Sequence, residues 1–230
     1  MTPEKLVCDV FEKPFPHLIG HNFYNDDELE LIWEELKFYT KPGKLLKAKD
    51  FGGIVGGTNS HALELDSIYR DDSDKPERSE CNTSINYRSI SNILTVNRKL
   101  FNSGILDVFS EIHECCWIAP SSNFDITKVR YYHNGEGYEP HTDKAFQFLA
   151  FTYFYKEPKK FTGGELFFPR HNYELTCKNN SIIIFPGWVK HGVKEVKIED
   201  SNYYDGWGRY AITSFFTNAN QKMINESDTI

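Results

Sequence analysis

The apolar residues Leu29, Ile32, Trp33 and Leu36 fall three and four positions apart, which predicts an amphipathic helix over roughly 26–39. Asn25 or Asp26 stands at its start as the cap, and an acidic first turn suits the positive end of the helix. A second helical period runs through Val96, Leu100, Ile105, Val108, Phe109 and Ile112. It predicts a helix across roughly 92–117, weakened in the middle by Gly104. Ahead of both, residues 14–24 (PFPHLIGHNFY) hold two prolines, which exclude a helix and predict a short extended entry.

From residue 124 the period shortens. FDITKVRYY, FQFLAFTYFY, GELFFP, SIIIFP and GRYAITSFFTN read as strands, with shorter extended pieces near 138–143 and 191–196. Many short strands punctuated by Gly, Pro and Asn predict a sandwich or a closed barrel. Helices first and a β-rich half after them give an α+β layout, with N-terminal helices packed on a jelly-roll core. Residues 40–88 read as long loop structure with one or two short strands: DFGGIVGGTNS carries four glycines and RDDSDKPERSE is a charged run. A functional loop and a solvated insertion are equal readings of that stretch; for the run at 71–80 a solvated loop is preferred to a lid over the substrate.

Length and composition narrow the class. A chain of 230 residues fits a single domain, with 1–120 a helical and loop support region and 124–217 the catalytic core. Eighteen Phe and thirteen Tyr suit packed sheets better than helical bundles. A formal net charge of −7, with no Lys/Arg block, argues against nucleic acid as the partner. Residues 1–10 lack a basic segment followed by an apolar run, no apolar stretch approaches 18 residues, and the five cysteines form no C-x-x-C pair. A reducing, cytoplasmic setting with free thiols and no membrane partner is the expectation.

One constellation carries chemistry. His141-Thr142-Asp143 is the only H-x-D or H-x-E among eight histidines. On a strand, positions i and i+2 share a face, so the two side chains can meet at one point. His191 follows the strand SIIIFP and the turn GWVK, where it can sit at a neighbouring strand end. Two imidazoles and one carboxylate on one octahedral face are the ligand set of non-heme Fe(II) oxygenases. Arg209 lies on an otherwise apolar strand with Ala211 and Thr213 on its face. A buried guanidinium there needs a negative partner, and a dicarboxylic cosubstrate would provide one. Tyr131 or Tyr132 could add a phenolic hydrogen bond. The other six histidines are read as non-ligands, Phe146, Phe148, Phe151 and Phe154 as core, and Tyr138 and Trp207 as either mouth or ordinary packing.

Four segments in order, YHNGEGYEPHTD, FTYFYKEPKKFTGGELFF, KNNSIIIFPGWVKHGV and GRYAIT, resemble the prolyl 4-hydroxylase and hypoxia-factor prolyl hydroxylase branch of the Fe(II)/2-oxoglutarate dioxygenases. The resemblance spans roughly 124–217 and implies a double-stranded β-helix. It implies His141, Asp143 and His191 as iron ligands, and Arg209 as the partner of the distal carboxylate of 2-oxoglutarate. Tyr132 takes the cosubstrate tyrosine's place, or Tyr131 after a one-residue shift; Thr213 is an accessory hydroxyl, and Gly163-Gly164 a tight structural turn. The implied reaction uses O2, with ascorbate as reductant, and hydroxylates an unactivated C–H with release of succinate and CO2. The substrate expected first is a prolyl residue in a peptide or protein. A small molecule such as a free amino acid is the alternative, and a non-catalytic β-barrel binding module the alternative of another class. Asp143 favours oxygen transfer over halogenation, and no Arg follows Arg209 as in relatives acting on nucleic acid. The gap between His191 and Arg209, with SNYYDGWG, is longer than the family's usual one and leaves the substrate mouth open.

Overall fold

Three runs of the chain are buried along their length, save the last residue of the third, and they form the middle of one sheet: β7 (Phe148–Phe154), β11 (Ser181–Pro186) and β14 (Arg209–Thr217). Strands covered on both faces lose the apolar–polar alternation and read as continuous apolar runs. The computed structural model describes residues 7–47, 61–69, 91–199 and 202–218. The remaining strands are β1 (Val7–Phe11), β2 (His17–His21), β3 (Leu46–Lys47), β4 (His61–Tyr69), β5 (Phe124–Tyr132), β6 (Tyr138–His141), β8 (Thr162–Gly163), β9 (Leu166–Phe168), β10 (Tyr173–Leu175), β12 (His191–Val193) and β13 (Val196–Lys197). The large sheet has the order β1-β2-β11-β7-β14-β5-β4-β3; a second sheet has the order β10-β9-β12-β6, and β13 pairs with β8. The pairings are antiparallel, and the fold is a double-stranded β-helix.

Each face of the large sheet has its own core. On one side, helix α1 (Asp26–Tyr39) and the short helices α2 (Asn92–Asn97), α3 (Lys99–Asn102) and α4 (Ile105–Ser110) bury Ile32, Leu36, Leu100 and Phe109 against Val129, Tyr131, Phe148, Ile184, Tyr210 and Phe216. On the other, Leu149, Phe151, Tyr153, Ile183, Phe185, Ala211 and Phe215 pack against Leu166 and Phe168 of the smaller sheet. Helix α1 runs where its period predicted. Asn25 caps it in a capping box: its side chain accepts from Glu28 N, and Glu28 accepts from Asn25 N.

Two expectations change and one holds. The helix predicted across 92–117 is three short helices and a 3-10 turn (Glu114–Cys116). Gly104 sits at φ +75°, a left-handed conformation no α-helix continues through, so it ends one segment and starts α4. The loop reading of 40–88 hid a nine-residue strand, β4, which pairs with β5 along its length through one bulge; the run at 71–80 lies outside the described residues. The extended entry at 14–24 includes β2, held between β1 and β11. No described helix is long and apolar enough to cross a membrane.

Candidate active site

His141 ends β6 and His191 opens β12, and the two pair directly across the smaller sheet. Asp143 is not on the strand, as the H-x-D reading had it. β6 stops at His141, and Asp143 is brought back by its own N–H, which donates to the Gly187 carbonyl at 2.9 Å. Gly187 is needed there, because a Cβ would lie 2.4 Å from Phe146 O and 2.6 Å from Asp143 O. Strand pairing therefore places the imidazoles and a loop tie places the carboxylate. The Nε2 atoms of His141 and His191 lie 3.5 and 3.4 Å from Asp143 Oδ2, and ligand atoms of all three residues fall within 4.8 Å of one another.

The protonation pattern suits a cation. Each histidine faces a backbone carbonyl with Nδ1, His141 that of Glu139 and His191 that of Val189, both at 2.9 Å. A carbonyl only accepts, so Nδ1 carries the proton and Nε2 turns a lone pair toward the shared point. Burial lowers the His191 pKa and keeps the ring neutral, with Asp143 opposing less strongly. Asp143 Oδ2 is buried with no hydrogen-bond partner. With both Nδ1 atoms turned to carbonyls, the two Nε2 atoms and the unsatisfied Asp143 oxygen form a donor set that could hold a cation.

Arg209 opens β14 opposite Tyr132 on β5, and only 1% of it is exposed. Its guanidinium carbon lies 4.9 Å from the Tyr132 ring centre and 4.6 Å from that of Tyr153. Nε and Nη1 of Arg209 and the Tyr153 hydroxyl have no hydrogen-bond partner. Burial keeps both phenols protonated by raising their pKa values, with Arg209 opposing. A planar cation flanked by phenols, with donors unspent, is a seat for a carboxylate. Arg209, Tyr132, His141, Asp143 and His191 line a single pocket.

The 2OG-Fe(II) oxygenase superfamily model matches residues 127–217, the stretch that holds both the triad and Arg209. This stretch is a 2OG-Fe(II) oxygenase domain. No curated protein matches the chain in sequence. Among solved structures it is similar to an oxidoreductase of the 2OG-Fe(II) oxygenase family from Burkholderia pseudomallei, at 16% identity and TM-score 0.55 over 89% of this chain and 86% of that one. A Pseudomonas putida prolyl-4-hydroxylase aligns at 14% identity and TM-score 0.52, covering 89% of this chain and 93% of that one. The non-heme alpha ketoglutarate dependent epimerase SnoN, from nogalamycin biosynthesis, aligns at 9% identity and TM-score 0.50, covering 88% and 78%. At such identities the likeness is one of fold, and the reaction must be argued from the site.

The oxygenase pocket sorts the remaining candidates. Tyr132 faces it and Tyr131, its neighbour on the strand, points to the helix side, as alternation requires. The Tyr131 hydroxyl donates to Tyr203 O at 3.2 Å and accepts from Gly208 N at 3.0 Å, so Tyr131 is a core residue and not a pocket donor. Thr213 lines the pocket, but its hydroxyl already donates to Lys128 O at 3.3 Å. Gly164 does more than turn the chain: a Cβ on it would lie 2.9 Å from Arg209 Cδ, so the second glycine of G-G-E-L leaves the guanidinium its place. Tyr138 lines the pocket; Trp207 does not, and lies in a separate groove with Trp33 and Lys156, under Lys160 Nζ at 3.6 Å. Sequence reasoning missed Tyr153 and Arg130. Arg130 was within reach, since it stands two residues before Tyr132 on the same strand face.

Proposed function

We propose that the chain is an Fe(II)- and 2-oxoglutarate-dependent dioxygenase that hydroxylates an unactivated C–H, with a prolyl residue as its substrate class. The observation that carries the reading is the pairing of two unsatisfied sites in one pocket: the triad with Asp143 Oδ2 unpartnered, and Arg209 with Nε and Nη1 unpartnered. His141, Asp143 and His191 would hold the iron. Arg209 would take the distal carboxylate of 2-oxoglutarate, with the Tyr153 phenol as a second donor and the Tyr132 ring stacked on the guanidinium. Together the metal and cosubstrate supply the oxidation of the C–H, with succinate and CO2 as co-products. The protein's part is to fix the imidazole tautomers, orient the cosubstrate and keep water out with Phe151, Val193 and Phe215. The order of YHNGEGYEPHTD, GGELFF, SIIIFP and GRYAIT supports the prolyl reading.

The test is direct. Pure protein incubated with Fe(II), ascorbate and 2-oxoglutarate forms succinate, and H141A abolishes it. Proline-containing peptides then gain the mass of one oxygen atom. Absence of succinate from the native protein with every peptide overturns the oxygenase reading, and succinate without any peptide product overturns the prolyl assignment alone.

A further inference from the structure

We infer that Arg130 is a specificity-determining residue and that the substrate presents a carboxylate to it. The inference rests on the oxygenase reading and goes beyond it, because 2-oxoglutarate already has its cation in Arg209. Arg130 stands near the end of β5, paired with Ala211 on β14 and Ala62 on β4. It is 7% exposed and lines the same pocket as the triad. Its Nη1 has no hydrogen-bond partner, and no carboxylate lies within ion-pair distance of it among the described residues. A guanidinium so buried is costly unless something negative meets it.

Its surroundings say where that partner sits. The guanidinium carbon of Arg130 lies 4.8 Å from the Tyr138 ring centre, and the Tyr138 ring lies 4.3 Å from that of His141. This stack puts the second cation beside the metal ligands, whereas Arg209 is held between Tyr132 and Tyr153. The pocket therefore offers two cations, one over Tyr138 and one between Tyr132 and Tyr153, with aromatic and aliphatic walls around them. A substrate whose reacting C–H is brought to the metal can extend a carboxylate to Arg130. Arg suits that task because its planar fork pairs both carboxylate oxygens at once. The carboxylate has two sources: that of a free amino acid, or the side chain of an acidic residue next to a prolyl residue in a peptide.

Matched acid and neutral probes test this on the full chain. L-Proline is compared with L-prolinamide, and a peptide with Glu beside Pro with its Gln counterpart. Native protein, R130Q and R130K are compared for oxygen gain by mass and for the KM values that each shows toward the probe and toward the cosubstrate. Calorimetric binding of the same probes to the Fe(II)- and 2-oxoglutarate-loaded protein without O2 adds a readout free of turnover, and thermal melting confirms the fold of each variant. The native protein is expected to prefer the acid member of one pair by about tenfold or more, and the pair that shows it names the source. R130Q erases the preference by raising KM for the acid probe alone, and R130K retains part of it. Equal use of acid and neutral probes, no binding of any acid probe, or an R130Q effect that falls on KM for the cosubstrate instead overturns the inference. Failure of the oxygenase reading looks different, with no succinate from the native protein under any condition.

Discussion

Two buried polar clusters, one on each face of the large sheet, are built differently. On the helix face, Asn97 sits at the centre of a hydrogen-bonded network. Its amide donates to Ser214 Oγ at 2.8 Å and to Thr127 Oγ1 at 3.4 Å, it accepts from the Tyr24 hydroxyl at 2.6 Å, and Thr127 donates to Asp125 at 3.0 Å. On the site face, Arg209, Arg130, Tyr153 and Asp143 keep buried donors or acceptors unspent. Satisfied networks stabilise and specify a core, while unsatisfied groups cost stability and persist where a ligand completes them. The Asn97 cluster thus serves folding and the pocket cluster serves binding; the helix face still keeps the Tyr203 and Tyr210 hydroxyls without partners.

Substitutions can break that contrast. The largest effect is expected from D143A, which removes the carboxylate ligand: iron-dependent succinate formation should fall by more than the roughly 10–100-fold typical of losing a ligand's supporting partner, while thermal melting of the metal-free protein stays near native. Next is R209A, which should raise KM for the cosubstrate by the equivalent of about 2–5 kcal/mol, with R209K intermediate; unchanged KM in both variants would remove the cosubstrate assignment. R209M should melt no lower than the native protein when no cosubstrate is present, because it replaces an unpaired buried charge with an apolar chain. N97A tests the other face. It should cost about 1–3 kcal/mol of stability, read by denaturant unfolding, and leave KM for the cosubstrate alone; a shift in KM without loss of stability would mean that the two faces are not separate. N25A, at the far end of α1, should cost only about 1 kcal/mol and change no kinetic constant.

The contrast also explains what could be read in the sequence. β11 and β14 run over the residues that the sequence indicated, because strands covered on both faces are apolar along most of their length, and β5 shows itself by alternation instead. His141, Asp143, His191 and Arg209 stood out since polar groups in such surroundings need a reason. Tyr153 did not, because an aromatic in FQFLAFTYFY looks like core, and only the register Ala211↔Tyr153 brings it alongside the site strand. Register is a tertiary property, set by which faces are buried. The broken helix at 92–110 was obscured for a similar reason: its apolar period continues across Gly104, while the backbone does not. Tyr131 and Tyr132 could not be separated by motif spacing, yet alternation on β5 separates them at once when the face of Arg209 is known.

The central claim is that the unspent groups of the site face are completed by iron and 2-oxoglutarate together. Calorimetric titration of the Fe(II)-loaded protein with 2-oxoglutarate, without O2, tests it most directly. The expected result is one saturable site that weakens about thirtyfold or more in R209A and disappears in D143A. Equal binding of the cosubstrate to the native protein, R209A and D143A would contradict it.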